Sequence, residues 1–274
     1  MKPVRFRYEA PHTVEEAVDH LSAAGIGGKA LAGGQSLVPM MNFRLARPSV
    51  LVDLNGIAAL RGITVAENHV ELGALVRHQA VADSERLRHA LPVLARTASL
   101  IGHWGIRTRG TVGGSVVHAD PSAEWPAVLA ALGAELELVG PSGTRRVPAG
   151  EFILGPLTTA IETDEILARI YIPRAPAPLR CTIEEMARRP GDFALAGSVA
   201  VHAGQEIRWT FFGLGGPPET VAVAQADRQD EAALRQQLAE RVAELEVTGD
   251  MHGGAEWRRR VAVAVALRAW RQIA

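Results

Sequence analysis

The apolar positions of the first 56 residues follow helical spacing first and strand spacing afterwards. Thr13-Val14-Glu15-Glu16 has the pattern of a capping box, and apolar residues then recur at helical intervals as far as Gly25. Two short apolar runs follow, at 29–32 and 50–54, the second of them introduced by a proline. A helix followed by separated short strands predicts a small α/β unit with a parallel component.

The middle of the chain has the alternation that is typical of half-buried antiparallel strands. The pattern predicts a hairpin over 62–66 and 69–74, strands at 133–139, 144–147 and 166–172, and a helix at 92–101. Asp120 and Pro121 stand where the N-cap and first residue of a further helix would lie, and that helix would run to about Leu132.

The proline-rich segment Pro173–Pro178 is the strongest linker signal in the chain. Beyond it we expect strands at 182–187, 195–203 and 206–212, then helices at 230–246 and 255–273. The predicted organisation is therefore α+β. It has one domain at 1–175, with subdomains of about 1–56 and 57–175, and a smaller α+β domain at 179–274.

Two glycine-rich turns carry the most specific chemistry. They are Ala32-Gly33-Gly34-Gln35-Ser36 and Thr111-Val112-Gly113-Gly114-Ser115. Paired glycines allow successive N–H groups to point into one concavity, so two such turns suit a pyrophosphate, and the adjacent hydroxyls add donors. Neither turn matches the Walker loop or G-x-G-x-x-G. Taken singly, each is better explained as a plain tight turn, whereas the two together favour a ligand site.

Composition excludes several classes of function. The net charge is -1, from 29 basic and 30 acidic residues, and aromatic residues make up 5%, so nucleic acid is not an expected partner. No stretch approaches the length of a membrane span. The single cysteine, Cys181, allows no internal disulfide or thiolate cluster and fits a reducing cytoplasm.

Other reactive side chains give weaker signals. His103 and His118 lack partners at metal-ligand spacing, and Cys181 lacks a local activating group, so we expect no metal site and no catalytic residue in this chain. Glu124 is open to two interpretations, a solvated acid in the first turn of a helix or an acceptor for a ligand hydroxyl. For Asp120 a capping role is the better explanation.

Three runs closely resemble the FAD-binding medium subunit of the molybdenum hydroxylases, the family of carbon monoxide dehydrogenase and xanthine dehydrogenase. They are LAGGQSLVPMMNFRLARPSVLVDLN, IRTRGTVGGSVVHADPSAEWPAVLAALGAELEL and ARRPGDFALAG. The resemblance spans essentially the whole chain. It implies an FAD-binding domain of the vanillyl-alcohol-oxidase type at 1–175 and a C-terminal domain of the carbon monoxide dehydrogenase flavoprotein type at 179–274.

The resemblance also implies roles for individual residues. The two glycine turns would hold the FAD pyrophosphate, Glu124 would contact the adenosine half, and two apolar residues would lie beside the cofactor. The implied cofactor-binding residues are Ala32, Gly33, Gly34, Gln35, Ser36, Ile101, Thr111, Val112, Gly113, Gly114, Ser115, Glu124 and Leu167. Asp192 belongs to a family signature, but the resemblance gives it no definite role.

The family's organisation implies partner chains. A large subunit with a molybdenum cofactor and a small subunit with two [2Fe-2S] clusters would complete a heterotrimer, in a dimer of heterotrimers. Electrons would pass from those clusters through FAD to an external acceptor, and the protein would orient and tune the flavin. The chain departs from the family at one point, because Glu184 and Glu185 stand where a lysine is common.

Two alternatives from other classes stay open. The first is a stand-alone flavin-dependent oxidase or reductase on the same fold, which would need its own substrate base. The second is a flavin-free assembly protein that keeps the fold without the site. The presence of both glycine pairs favours a flavin-binding chain over the second alternative.

Overall fold

The computed structural model describes residues 2–174, 179–204, 206–224 and 230–273. Its N-terminal part is a parallel sheet in the order β1-β3-β2, with a helix packed on it. The elements are β1 (Arg7–Glu9), α1 (Val14–Ala24), β2 (Gly28–Leu31), α2 (Leu37–Asn42) and β3 (Val50–Asp53). The expected α/β unit with parallel strands is thus confirmed.

Helix α1 begins as its sequence predicts. The Thr13 hydroxyl accepts a hydrogen bond from the Glu16 N–H at 3.1 Å, while the Glu16 carboxylate accepts from the His12 N–H at 2.8 Å. The helix ends at Gly25, whose φ of 54° suits a residue without a Cβ. Between these two ends, the buried side chains Ala17, Val18 and Leu21 of α1 pack against the parallel sheet.

The middle part is a five-stranded antiparallel sheet in the order β4-β5-β10-β6-β7, with helices packed against it. Its buried side chains, among them Trp125 and Phe152, form the largest hydrophobic core. The elements are β4 (Ile63–Val65), β5 (His69–Gly73), α3 (His78–Asp83), α4 (Glu85–Ala90), α5 (Pro92–Leu100), α6 (Trp104–Arg107), α7 (Val112–His118), α8 (Glu124–Ala131), β6 (Glu135–Gly140), β7 (Gly143–Pro148), α9 (Ala149–Phe152), β8 (Ile153–Gly155), β9 (Thr158–Thr159) and β10 (Ile166–Pro173).

The C-terminal part is an antiparallel sheet in the order β11-β12-β13-β14, covered on one face by α11. Its other face lies against α5 and α8, so that Ile183 and Phe212 join the core of the middle part. The elements are β11 (Cys181–Ala187), β12 (Ala194–Ala203), β13 (Glu206–Phe212), β14 (Glu219–Ala224), α10 (Glu231–Ala243) and α11 (Ala255–Ile273).

Two local expectations are wrong. The second glycine turn is not a free-standing turn, because Val112–His118 is helical and Thr111 is its N-cap. The next helix begins at Glu124 rather than after Asp120, whose carboxylate accepts from the Ser122 N–H at 2.8 Å and closes a local turn. The Asp120 carboxylate can accept a hydrogen bond either from a nearby turn N–H or from the first turn of a helix, and here it accepts from the turn.

The mixed helix and strand class that the sequence predicts is confirmed. The boundaries at 1–56, 57–175 and 179–274 stay a prediction, and residues 175–178 of the expected linker lie outside the described residues. Among the helices that the structure describes, none has the length and apolar character needed to cross a membrane.

Candidate cofactor-binding site

The first glycine turn leaves the carboxyl end of β2 and leads into α2. Gly34 has φ 72°, a left-handed conformation that reverses the chain. Within the described part of the chain, four consecutive N–H groups of this turn donate no hydrogen bond to protein, those of Gly33, Gly34, Gln35 and Ser36. Consecutive unpaired amides at a turn are the donors that an anion requires.

The second glycine turn uses its amides differently. The N–H groups of its last four residues donate to acceptors of the protein itself, in the bonds Val112 to Val76 O (2.9 Å), Gly113 to Ala74 O (2.9 Å), Gly114 to Thr111 Oγ1 (3.1 Å) and Ser115 to Thr111 O (3.1 Å). This turn is therefore not a second set of free amides. What it offers a ligand is a surface without side chains and the Ser115 hydroxyl, which has no partner among the described residues.

The two turns meet in space, as their sequence pattern predicts for a shared ligand. A Cβ on Gly33 would lie 2.4 Å from the carbonyl oxygen of Arg109, and a Cβ on Gly114 would lie 3.4 Å from the Cβ of Ala32. A side chain at Gly33 would therefore push the two segments apart. At Gly114 the distance to Ala32 is an ordinary contact, and a Cβ would instead clash with Thr111 Oγ1 at 2.7 Å. Gly113 is equally restricted on its other side, where a Cβ would lie 2.5 Å from the Ala74 Cβ.

A polar network fastens the two turns to each other. Asn55 Nδ2 donates to the Ala32 carbonyl oxygen at 2.8 Å, and Asn55 Oδ1 accepts from Arg77 Nη2 at 2.6 Å. Arg77 also donates through Nη1 to the Arg109 carbonyl oxygen, next to the second turn. Asp53 orients the amide of Asn55 by accepting from its Nδ2 at 2.6 Å. The hydrogen bonds therefore form one chain from Ala32 through Asn55 and Arg77 to Arg109.

Positive charge concentrates at this junction. Burial lowers the pKa of Arg77, and the neighbouring charges of Arg61 and Arg109 lower it further, while Asp53 opposes them. Arg61 donates to the Asn55 carbonyl oxygen, which places it on the same network. The charges of Arg61, Arg77 and Arg109, which the Asp53 carboxylate offsets in part, give the junction a net positive field that favours an anionic ligand.

A buried histidine, His78, packs against Gly110, the residue that precedes the second turn. His78 is 4% exposed, its Nδ1 accepts from Trp125 Nε1 at 3.1 Å, and its ring leaves no room for a Cβ on Gly110. Burial lowers the His78 pKa to about 4, assisted by the charges of Arg77 and Arg107. The ring is therefore neutral at pH 7, with its proton on Nε2.

The remaining predicted residues lie in three different settings. Ile101 follows α5 and is half-buried, and its carbonyl oxygen accepts from Arg107 Nη1 at 3.3 Å. Leu167 is buried in the core beneath the middle sheet, at a register shift of β10. Glu124 is the first residue of α8 and is 5% exposed, which contradicts the interpretation of a solvated acid.

Sequence reasoning missed Asn55, Arg77 and His78. Asn55 follows the strand residue Asp53 at the carboxyl end of the parallel sheet, where polar residues commonly bind ligands, so its position gave a usable signal. Arg77 and His78 gave none, because each acts through partners more than 20 residues away.

The fold and the site are those of a protein that binds a nucleotide cofactor. Comparison with known proteins identifies the family within that class. The family described as "FAD binding domain in molybdopterin dehydrogenase" matches residues 4–175. The chain therefore belongs to this family and is of the FAD-binding subunit type of molybdopterin-dependent dehydrogenases. Its relatives are components of oxidoreductases.

Individual relatives agree with this assignment. The chain is 35% identical over 268 residues to the nicotine 6-hydroxylase medium subunit of Paenarthrobacter nicotinovorans, covering 94% of this chain and 93% of that one. It is 40% identical over 201 residues to the carbon monoxide dehydrogenase medium chain of Hydrogenophaga pseudoflava, covering 73% and 70%. Reconstituted carbon monoxide dehydrogenase from Oligotropha carboxidovorans superposes with a TM-score of 0.93 at 33% identity, covering 100% of this chain and 99% of that one.

Proposed function

We propose that this chain binds FAD between its two glycine turns and serves as the flavin-carrying electron relay of a molybdenum hydroxylase complex. The observation that carries the proposal is the row of four unpaired N–H groups at 33–36, held against the second turn. A pyrophosphate needs donors and close backbone approach, and this junction supplies both.

The residues of the junction fit FAD. The amides of the first turn and the hydroxyls of Ser36 and Ser115 would donate to the pyrophosphate, while Arg77 holds the carbonyl of Arg109 in place. Gly33 and Gly114 keep the approach free of side chains. Ala32, Gln35, Thr111, Val112 and Gly113 contribute backbone and caps, and we propose Ile101, Glu124 and Leu167 as residues near the rest of the cofactor.

When bound, FAD supplies reversible electron transfer between one-electron and two-electron partners. Within the proposed complex, a small subunit with two [2Fe-2S] clusters donates the electrons and an external acceptor receives them. A large subunit with a molybdenum cofactor oxidises the substrate, in a dimer of heterotrimers in the cytoplasm. This chain binds and orients the flavin, and in the ranges that the structure describes no group of three or more histidine, cysteine or acidic side chains is arranged for a metal.

The test is purification of the untagged protein from its native host. The visible spectrum is recorded before and after denaturation, the released flavin is identified by mass, and iron and molybdenum are measured in the co-purifying chains. FAD together with two such chains is the expected result. FAD without partners, with substrate turnover by this chain alone, would establish a stand-alone flavoenzyme. A native complex without flavin would overturn both and leave an assembly role.

Single substitutions locate the pyrophosphate. Ser36→Ala and Ser115→Ala each remove one hydroxyl without disturbing a hydrogen bond of the protein. We expect each to weaken FAD binding by roughly tenfold to 150-fold, which corresponds to the loss of one hydrogen bond to a charged group. Ser99→Ala is the matched control, because the Ser99 hydroxyl donates only within its own helix, to the Arg96 carbonyl oxygen.

A further inference from the structure

Helix α2 is almost entirely apolar, yet most of it lies at the surface. Its sequence is Leu-Val-Pro-Met-Met-Asn, and of its side chains only that of Met41 is buried, while Val38 and Pro39 are exposed. A helix that is apolar on all sides is expected inside a protein, because its side chains gain nothing from contact with water. Within the described part of its own chain, this helix therefore lacks a complete cover.

Two large apolar side chains continue this surface beyond the end of the helix. Phe43 is 65% exposed and Leu45 is 76% exposed. Apolar side chains that are exposed one by one are ordinary, whereas several of them on one segment mark an interaction site. We call residues 37–47 the α2 surface.

Hydrogen bonds fix the turn that carries these side chains. Arg44 has φ 60°, an uncommon value for a residue with a Cβ. The Leu45 N–H donates to the Met40 carbonyl oxygen at 2.8 Å. On the other side of the turn, Arg47 Nε donates to the Arg44 carbonyl oxygen at 2.9 Å. A partner that binds Phe43 and Leu45 therefore meets a turn that is already ordered, which lowers the entropic cost of binding.

The charge around the α2 surface is positive. The chain has no acidic residue between Asp19 and Asp53, whereas Arg44 and Arg47 are both exposed in the turn. Lys2 lies beside them, because its carbonyl oxygen accepts from Arg44 Nε at 3.5 Å. The whole chain carries a net charge of -1, so this is a local concentration of cations. A complementary partner has carboxylates around an apolar centre.

The α2 surface begins where the first glycine turn ends. Ser36, whose N–H is the last of the four unpaired donors, is followed directly by the first residue of α2. The six residues of this helix correspond to a length of about 9 Å. Phe43 and Leu45 therefore stand one short helix away from the proposed pyrophosphate position. A subunit that delivers electrons must dock close to the flavin, and a partner on this surface does so.

We infer that the α2 surface binds the subunit that delivers electrons to this chain, through an acidic face of that subunit with an apolar centre. Phe43 and Leu45 fill the apolar centre, and Arg44, Arg47 and Lys2 face the surrounding carboxylates. The inference rests on the proposed function and assigns a docking site to its electron donor. The names of the relatives, medium subunit and medium chain, support the presence of partner chains.

The first experiment maps contacts in the complex isolated from its native host. Hydroxyl radicals oxidise exposed side chains, and mass spectrometry compares the complex with the isolated chain, both with and without FAD. We expect the oxidation of Phe43 and Leu45 to fall several-fold in the complex alone. Equal oxidation in the complex and in the isolated chain overturns the docking site. Protection by FAD alone makes the cofactor the cover and overturns it as well.

A crosslink identifies the partner in the same complex. Carbodiimide joins an ammonium group to a carboxylate that it touches, and Lys2 is one of two lysines in the chain. We expect Lys2 to be joined to an aspartate or glutamate of the chain that carries the iron–sulfur clusters. A crosslink from Lys2 to the molybdenum-binding chain or to a second copy of this chain overturns the assignment, and so does the absence of any crosslink from Lys2.

Variants test the apolar centre and the charge separately. The FAD-loaded chain is titrated with its partner chains, purified together without it, at low and high salt. Leu45→Ser weakens binding about tenfold or more, whereas the control Leu154→Ser, at an exposed leucine of β8, leaves it unchanged. Arg44→Asn, which suits the left-handed backbone, makes binding less dependent on salt. Arg86→Asn, on the exposed side of α4, is its control.

The outcomes separate this inference from the proposed function. Equal losses of affinity in Leu45→Ser and Leu154→Ser, or binding that does not depend on salt in the natural chain, overturn the docking site and leave the flavin subunit in place. A natural chain without flavin in its native complex overturns the proposed function itself. Circular dichroism and the FAD content of each variant show that it is folded and loaded. If Leu45→Ser does not fold, Phe43→Ser must show the same loss.

Discussion

Oδ1 of Asn55 lies 2.6 Å from Nη2 of Arg77, and this contact links the two side chains that hold the glycine turns. Asn55 holds the first turn through the Ala32 carbonyl oxygen, and Arg77 holds the Arg109 carbonyl oxygen. The spacing between the two turns therefore depends on a side-chain pair outside both motifs.

Replacement of Asn55 by leucine removes its three side-chain hydrogen bonds, with Ala32, Asp53 and Arg77, and keeps the branched shape of the side chain. The partly buried guanidinium of Arg77 then loses an acceptor, and the free energy of unfolding should fall by about 1–3 kcal/mol. FAD affinity should fall as well, because the turns are no longer held at one distance. Urea unfolding of the flavin-free chain and FAD titration measure the two effects. Asn68→Leu, in the exposed β4–β5 turn, is the control; equal losses in both variants would rule out the special role of Asn55.

The first glycine turn can be tested by comparing two glycines that have the same left-handed backbone conformation. Gly34 has φ 72° and Gly133 has φ 65°, so alanine at either position costs about 1–2 kcal/mol of stability. Only Gly34→Ala alters the unpaired amides, and we expect it to lower FAD affinity at least tenfold while Gly133→Ala leaves it unchanged. A parallel loss of affinity in Gly133→Ala would show that strain alone explains the effect.

His78 makes stability depend on pH on the acid side. Its folded-state pKa of about 4 lies below the ordinary value of 6.5, so the unfolded chain binds the proton more readily between these values. Stability is complete above pH 6.5 and falls towards pH 4, by at most about 3 kcal/mol. Urea unfolding at pH 7 and pH 5 should show this loss in the natural chain and a smaller one in His78→Gln. An identical pH dependence in the two proteins would exclude His78 as the cause.

The buried carboxyl groups of Glu124 and Glu185 act in the opposite direction. The folded-state pKa values of Glu124 and Glu185, about 8 and about 7, lie above the ordinary 4.5, so their effect on stability is complete at low pH and is lost as the pH rises from 4.5 to 8. We expect Glu185→Gln to be more stable than the natural chain at pH 8.5, by about 1–3 kcal/mol, and closer to it at pH 5. Thermal unfolding of the flavin-free proteins at both pH values makes the comparison. A variant that is less stable at pH 8.5 would contradict it.

The sequence by itself determined the elements whose signals are local. The capping residues of α1, the period of the helix at 255–273 and the alternation of strands 135–140 and 206–212 depend on neighbours a few residues away. The paired glycines were visible for the same reason, since a turn that excludes a Cβ is written in the residues that form it. The resemblance then identified the family from those motifs.

The tertiary structure decided how those motifs are used. The carbonyl groups of Val76 and Ala74, which are distant in sequence, accept from two N–H groups of the second turn. No protein acceptor in the described residues reaches the N–H groups of 33–36 in the first turn. Burial and facing charge, which set the state of Glu124 and Glu185, arise only where the C-terminal sheet meets α8. Hydrogen bonding, desolvation and Coulomb interaction act through space, so residues far apart in the chain, such as Asn55 and Arg77, acquire their roles only in the folded molecule.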